Sequence, residues 1–373
     1  MPTSAPPLTH AVEHALARAH IPGCSIALVD ATGLRWQGAF GLADLRRRQL
    51  AAPDTVYHLF SGTKLFTATA VLQLAERGLL DLDDPVDRHL PELTGARGIT
   101  LLQLLSHRSG LKDTLRGFLA VVSPGEPSPT SAQALAGYPL RPGSAPGRRV
   151  VYRNVGYAIL GEVISRVSGV EYREQVARAV LAPLGIRARF GATDPLREPA
   201  ATGYIYRWDP MRLALRLLFP GLAGRLERER AGSLVALGPY ELRTAAIGGL
   251  VGSMPEFAKF LSAQLGGGGG ILSEASTRRM QTMVARGAAG IESRVGVGLG
   301  WKFGRTPGHT FLNHEGGGAG FTSELRLYPH AGVGIALGMN MMRMPQTMRA
   351  AHQICEAVLA ARAQLVAMAA PRE

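Results

Sequence analysis

With 373 residues, 46% of them apolar and 18% charged, the chain is long enough for a large core and too apolar to be disordered. No run reaches the roughly 20 apolar residues that cross a bilayer, and "MPTSAPPLTHAVEHALARAH" has no basic segment leading into an apolar one, so a cytoplasmic location is expected. The net charge of +13 invites nucleic acid as a partner, but the arginines are scattered and no aromatic residues interleave with them, so no nucleic acid is expected.

Residues 8–20 repeat apolar positions at helical spacing until "IPG" stops them. His10 and His14 lie one turn apart there, but no acidic third ligand accompanies them, and no metal is expected. "CSIALVD" and "LRWQGAFG" flank a short turn and read as two strands, and "LRRRQL" (45–50) reads as a solvated hairpin end. "TKLFTATAVLQLAERG" is apolar nearly all round, which predicts a buried central helix ended by Gly78. The aspartates of "LLDLDDPV" read as capping and loop residues. "TLLQLLSHRSG" (100–110) is a second apolar helix stopped by Ser-Gly, and 112–150 is an irregular excursion rich in Pro, Gly and Ser.

Two further helices at 154–169 and 171–185 end on glycines. Residues 190–240 read as irregular apart from "RWDPMRLALRLLFPGLAGRLERER" (207–230), apolar and basic in alternation. That segment is either a lid or membrane-surface element, or, more simply, an inserted helix packed on the core with solvated arginines. A helix at 255–265, a loose loop of five glycines at 266–270 and strand-like "VGVGLGWKF", "TSELRLYP" and "GVGIALGMN" follow. A helix over 346–368 ends the chain. This order predicts an α+β fold, with a sheet domain built from 1–58 and 241–373 and a mainly helical lobe, 59–240, inserted between them. The active site is expected in the cleft between the two. Cys24 and Cys355 are far apart in apolar contexts and read as buried free thiols.

Only four of the 41 basic residues are lysines, and one of them, Lys64, lies three residues after Ser61 at the start of the central helix. That spacing puts both side chains on one helix face. A serine hydroxyl needs a base, and a lysine becomes one when burial lowers its pKa. The first helical turn also offers free N–H groups to an oxyanion. Composition alone predicts about 0.2 Ser-x-x-Lys matches, and the chain has two. The second, Ser109 to Lys112, follows a helix rather than opening one and reads as a helix stop.

Two later stretches add chemistry. In "YRN", Tyr152 is able to relay a proton and Asn154 to hold the lysine and a substrate carbonyl. In "NHEGGGAGF" (313–321) the glycines allow edge-to-edge approach of a substrate, with one N–H completing an oxyanion hole.

With these motifs in this order, the chain resembles the serine β-lactamase and penicillin-binding-protein superfamily, specifically its class C β-lactamase-like branch. The matching elements are Ser61-Gly-Thr-Lys64, Tyr152-Arg-Asn154 and His314-Glu-Gly316, with "LLQLLSHRSGL" similar to a further common stretch of the branch. The resemblance runs from about residue 8 to 366. It implies a β-lactamase/transpeptidase-like fold, an antiparallel sheet flanked by helices, and acyl transfer through an acyl-enzyme without cofactor or metal. Ser61 would be the nucleophile, Lys64 its base and Tyr152 the proton shuttle. Asn154 would position Lys64 and substrate, His314 and Gly316 would line the substrate strand, and the N–H groups of Ser61 and Gly317 would hold the oxyanion.

The departure is His314, where β-lactamases of this branch carry lysine. A mostly neutral histidine weakens recognition of a substrate carboxylate. Within the branch, a histidine at this position resembles esterases and D-amino-acid peptidases or amidases, which places carboxylesterase first, D-amino-acid peptidase or amidase second, and β-lactamase third, with small-molecule esters, amides or lactams as substrates. A non-catalytic binding protein of the same fold is the alternative outside enzymology.

Overall fold

The computed structural model describes residues 6–114, 121–122, 126–136, 138–193, 199–218, 220–287 and 294–369. Alternation along Gly23–Asp30 (β1) gives the sheet two covered faces. Cys24, Ile26 and Leu28 join one apolar cluster, and Ala27 and Val29 join the other. The remaining strands of this sheet are Gly33–Asp44 (β2), Gln49–Leu50 (β3), Ala285–Arg286 (β4), Arg294–Val297 (β5), Lys302–Arg305 (β6), Thr310–Gly318 (β7), Phe321–Tyr328 (β8) and Val333–Met339 (β9). They lie in the order β4-β5-β6-β7-β8-β9-β1-β2-β3, every neighbour antiparallel. Both chain ends thus contribute to one sheet, joined where β1 pairs with β9 and Ala27 faces Ala336.

One face is covered by Pro6–Ala19 (α1) and Gln346–Ala369 (α5), whose Val12, Leu16, Ile354 and Val358 pack with Ile335 and Leu337 of β9. Small residues on the opposite face of β1 and β9 admit Met254–Leu265 (α4), a helix whose Leu261 Cβ would lie 2.9 Å from a Cβ at Gly334. Thr63–Glu76 (α2) is buried along most of its length, as its all-round apolarity predicts, and its Phe66 ring meets Phe260 at 4.5 Å. Val155–Ser168 (α3) packs beside it and ends on left-handed Gly169.

Several expectations change. The Glu-Arg alternation of 227–230 is not helical: Glu227–Ala231 forms a hairpin with Leu234–Leu237, turned at Gly232. Burial of Leu234 and Val235 beside Tyr204 favours the strand, whose Glu-Arg stretch stays largely exposed. In the helix Pro210–Leu218 only one of the two arginines, Arg216, is solvated. Arg212 is buried, and Arg212 and Arg216 both pair with Glu227, at 2.7 and 2.6 Å. The five glycines form a packed turn, in which a Cβ at Gly268 would lie 2.2 Å from Leu272 O. "NHEGGG" lies inside β7, paired with β8 up to Gly318↔Phe321. Of the 112–150 excursion, residues 115–120, 123–125 and 137 lie outside the described residues. Its described parts include a helix, Ser131–Ala136, and two-residue strands. Cys24 and Cys355 are buried and free. Among the described residues no helix is long and apolar enough to cross a membrane.

Asn340 stitches the two chain ends together. Gly23 N–H donates to its Oδ1 at 2.9 Å, and its Nδ2 donates to Leu42 O and Ala43 O, both at 3.0 Å. Asn340→Ala leaves three buried backbone groups without these partners and should cost about 2–4 kcal/mol in urea unfolding. A loss below about 0.5 kcal/mol would show that the sheet seam does not depend on it.

Candidate active site

The turn that carries Ser61 is held from both sides. Leu59 N–H donates to Leu250 O at 2.9 Å, Phe60 adopts φ +47°, and the tight turn Phe60–Gly62 runs straight into α2. A non-glycine residue in the left-handed region costs about 1–3 kcal/mol and persists only where packing enforces it. Here the Phe60 ring is stacked on His58 at 5.3 Å and lies where a Cβ at Gly318 would stand. Ser61 N–H then falls in the first turn, where helical N–H groups have no preceding carbonyl.

Lys64 lies one turn further along α2, fully buried, with Nζ 3.0 Å from Ser61 Oγ. Nζ also donates to Ile247 O at 2.7 Å. Burial holds its pKa well below the ordinary 10.5; the positive charge of Lys302 pushes the same way and the negative charge of Asp113 opposes it. With the amine neutral, one N–H still serves the Ile247 carbonyl and the lone pair faces the Ser61 hydroxyl. That is the arrangement of a serine and its general base.

The Tyr152 ring lies beside this pair, its centroid 5.2 Å from Lys64 Nζ. Tyr152 Oη is 3.3 Å from His314 Nε2, and His314 Nδ1 is 2.6 Å from Gly300 O. His314 is completely buried, and burial, followed by the charges of Lys302 and Lys64, drives its pKa well down. A neutral imidazole facing a carbonyl at Nδ1 must carry its proton there, so Nε2 accepts from the Tyr152 hydroxyl. His107, itself at φ +55°, packs against the Tyr152 ring at 4.4 Å, tilted by 37°, and accepts Arg153 N–H on Nδ1. Asp113 receives the backbone N–H groups of Asn154 and Val155 at 2.8–2.9 Å, placing a carboxylate at the N-terminus of α3. Among the described residues Asn154 is not a hydrogen-bond partner of Lys64; the Ile247 carbonyl fills that position.

β7 closes the other side. His314, Gly316 and Gly318 share the face towards α2, and a Cβ at Gly316 would lie 2.1 Å from Leu59 O and 2.3 Å from Ser323 Oγ. Ser323 Oγ donates to that same Leu59 carbonyl at 2.7 Å. β6 pairs with β7 from Thr310 to Asn313 and no further, so on the side of β7 away from β8 the stretch from Glu315 to Gly318, including Gly317, has no strand partner among the described residues. Such an edge accepts an extended substrate.

Ser109 and Lys112 are not brought together. Ser109 is buried with Oγ accepting Leu111 N–H at 3.4 Å, and Lys112 is exposed. Sequence reading overlooked Asp113, Ile247, His107, Lys302 and Glu315. Of these only Lys302 carried a usable signal, the same rarity of lysine that singled out Lys64. Among the described residues no group of three or more His, Cys, Asp or Glu side chains is placed to hold a metal ion.

A family model described as Beta-lactamase matches residues 8–358. Protein flp of Staphylococcus aureus (strain N315) is 31% identical over 199 residues, covering 52% of this chain and 40% of that protein. The chain thus spans less than half the length of the curated relatives it matches first. Among solved structures, the octameric penicillin-binding protein homologue from Pyrococcus abyssi superposes with a TM-score of 0.75 at 25% identity, covering 95% of this chain and 76% of that one. A D-stereospecific amidohydrolase from Streptomyces sp. superposes with a TM-score of 0.72 at 26% identity, covering 95% and 98%. The fold is β-lactamase/transpeptidase-like.

Two substitutions test the geometry. Gly316→Ala must displace either Leu59 or Ser323, and with it the Ser61 turn. Fluorophosphonate labelling of Ser61 should slow by about 100-fold; unchanged labelling would show that the turn tolerates the methyl group. Lys64→Met should raise the thermal midpoint at pH 6. The unfolded chain takes up a proton there that the folded one resists, so the cost of burying Lys64 is full below its depressed folded pKa and vanishes above 10.5. The advantage of the methionine should therefore shrink as pH rises; an advantage that grows with pH would contradict a depressed Lys64.

Proposed function

The chain belongs to the Beta-lactamase family, and on that premise we propose that it is a serine hydrolase working through an acyl-enzyme on Ser61, with carboxylic esters as its first substrate class. The observation that carries the reading is the 3.0 Å contact between Ser61 Oγ and a fully buried Lys64. As Oγ bonds to the substrate carbonyl carbon, its proton passes to Lys64 Nζ, and the carbonyl π electrons become an oxyanion. The N–H groups of Ser61 and Gly317 receive that charge. Collapse breaks the bond to the leaving group, which takes the proton from Lys64 by way of the Tyr152 hydroxyl. Water then attacks the acyl-enzyme, giving its proton back along the same route, and Ser61 leaves as the alcohol. Asn154 is assigned to the substrate rather than to Lys64, which Ile247 already holds.

Specificity follows from His314. A buried, neutral imidazole at the motif position, already bonded on both nitrogens, offers no cation to a carboxylate beside the scissile bond. Esters without such a carboxylate fit that site best. A second reading, hydrolysis of D-amino-acid amides, is favoured by the 26% identity to the Streptomyces amidohydrolase across nearly the whole of both chains. A purely binding role leaves the cost of burying Lys64 against Ser61 without a purpose.

A panel of p-nitrophenyl esters, D- and L-amino-acid amides and a chromogenic β-lactam decides among these readings. Esters should turn over fastest, and Ser61→Ala should lower kcat by about 1,000-fold or more. Faster D-amide than ester hydrolysis would move the assignment to the amidase. No turnover by wild type, or full activity of Ser61→Ala, would sink the acyl-enzyme.

A further inference from the structure

We infer that Lys302 of β6 is the fixed cation of this site and acts as a positioning residue through Lys64, keeping it a free amine. The inference rests on the acyl-enzyme reading above. Lys302 is almost wholly buried, yet its Nζ stands 4.4 Å from the centroid of the Tyr152 ring, the ring that also lies 5.2 Å from Lys64 Nζ. Glu315, the middle residue of His314-Glu-Gly316, holds Lys302 Nζ at 2.9 Å. The strand that lacks a cation at 314 thus fastens one from its neighbour, one residue away.

The groups around Lys64 come from every element packed against it. Ser61 is on its own helical turn, Tyr157 is on α3 with its ring 5.6 Å away, and Tyr152 precedes α3. Asp113 lies before α3, His314 is on β7 and Lys302 on β6. The His107 ring packs, tilted, against Tyr152 and Tyr157. His314 is held neutral; of the charged groups around Lys64, Asp113 favours the ammonium and Lys302 opposes it, while Glu315 stands beyond Lys302 as its partner. Lys302 depresses His314 as well, so one buried charge acts on both ends of the Tyr152 contact. The Tyr152 ring and Glu315 together fix where that charge stands, which is what a constant field at Lys64 requires.

The test is the pH dependence of the second-order rate of Ser61 labelling by a fluorophosphonate, which needs no knowledge of the natural substrate. Reaction requires neutral Lys64, so the rate rises with pH through its pKa. Lys302→Met should move that rise upward by about one pH unit, a tenfold loss of rate on the limb. Lys302→Met/Glu315→Gln, which leaves no unpaired carboxylate, should also move it upward. Lys302→Arg, keeping the charge, should restore the wild-type position. A limb that stays in place in both methionine variants, or moves down, overturns the inference. Absence of labelling at Ser61 in wild type at every pH would instead refute the acyl-enzyme reading, so the two failures are distinct.

Discussion

Everything in the site depends on a lysine amine buried against a serine hydroxyl. Lys64 sits in α2, a helix with no solvent-facing side in its first turns, and an ammonium there would lack water. The interior offers it Ser61 Oγ and one backbone carbonyl, from Ile247, 183 residues further along the chain. Two partners suit a neutral amine better than a charged one with three protons to place. The helix Ala245–Gly248, which supplies that carbonyl, packs on both α2 and α3, so the base is set by the packing of three helices. A lysine held this way gives up its proton more readily than one in water, which is what a general base requires.

The electrostatics around it favour the same state. Asp113 is tied to the backbone N–H groups at the start of α3, where the helix dipole already balances a carboxylate, so its pull on Lys64 is shared. Lys302 has Glu315 as a partner but faces the Tyr152 ring. His314, neutral and with its tautomer set by Gly300, connects to Tyr152 without adding charge. The motif histidine and the lysine of the neighbouring strand therefore both converge on Tyr152. One meets Tyr152 through a hydrogen bond, and the other supplies the field.

How much of this the sequence disclosed follows from how local each signal is. Ser61 and Lys64 are three residues apart, across a tight turn that runs straight into α2, so their contact follows from local spacing and could be read directly. The apolarity of α2 announced its burial. The order of strands and helices disclosed an α+β fold built from both chain ends. Ile247 acts through its backbone and leaves no trace in residue type, and Lys302 meets Tyr152 only because β6 pairs with β7 in one register. Asp113 falls in the irregular 112–150 excursion, and only the packing of the chain brings the start of α3 onto its carboxylate. Residues 227–230 misled for another reason: alternating Glu and Arg suit an exposed strand as well as a helix, and only Leu234 and Val235 beyond the turn decide it.

The glycines of β7 show why register matters as much as residue type. Gly316 and Gly318 face the Ser61 turn, one against the Leu59 carbonyl and the other against the Phe60 ring. A slip of one residue would turn His314 away from Tyr152 and present Glu315 to the buried face. Pairing of β7 with β8 through seven consecutive positions, Leu312↔Leu327 to Gly318↔Phe321, holds that register. Ser323 of β8 then reaches across to the Leu59 carbonyl, linking sheet to turn. The sheet is thus a ruler for the chemistry. It places the Gly317 edge, His314 and, through β6, Lys302 at fixed offsets from a serine whose own position is set by a strained turn.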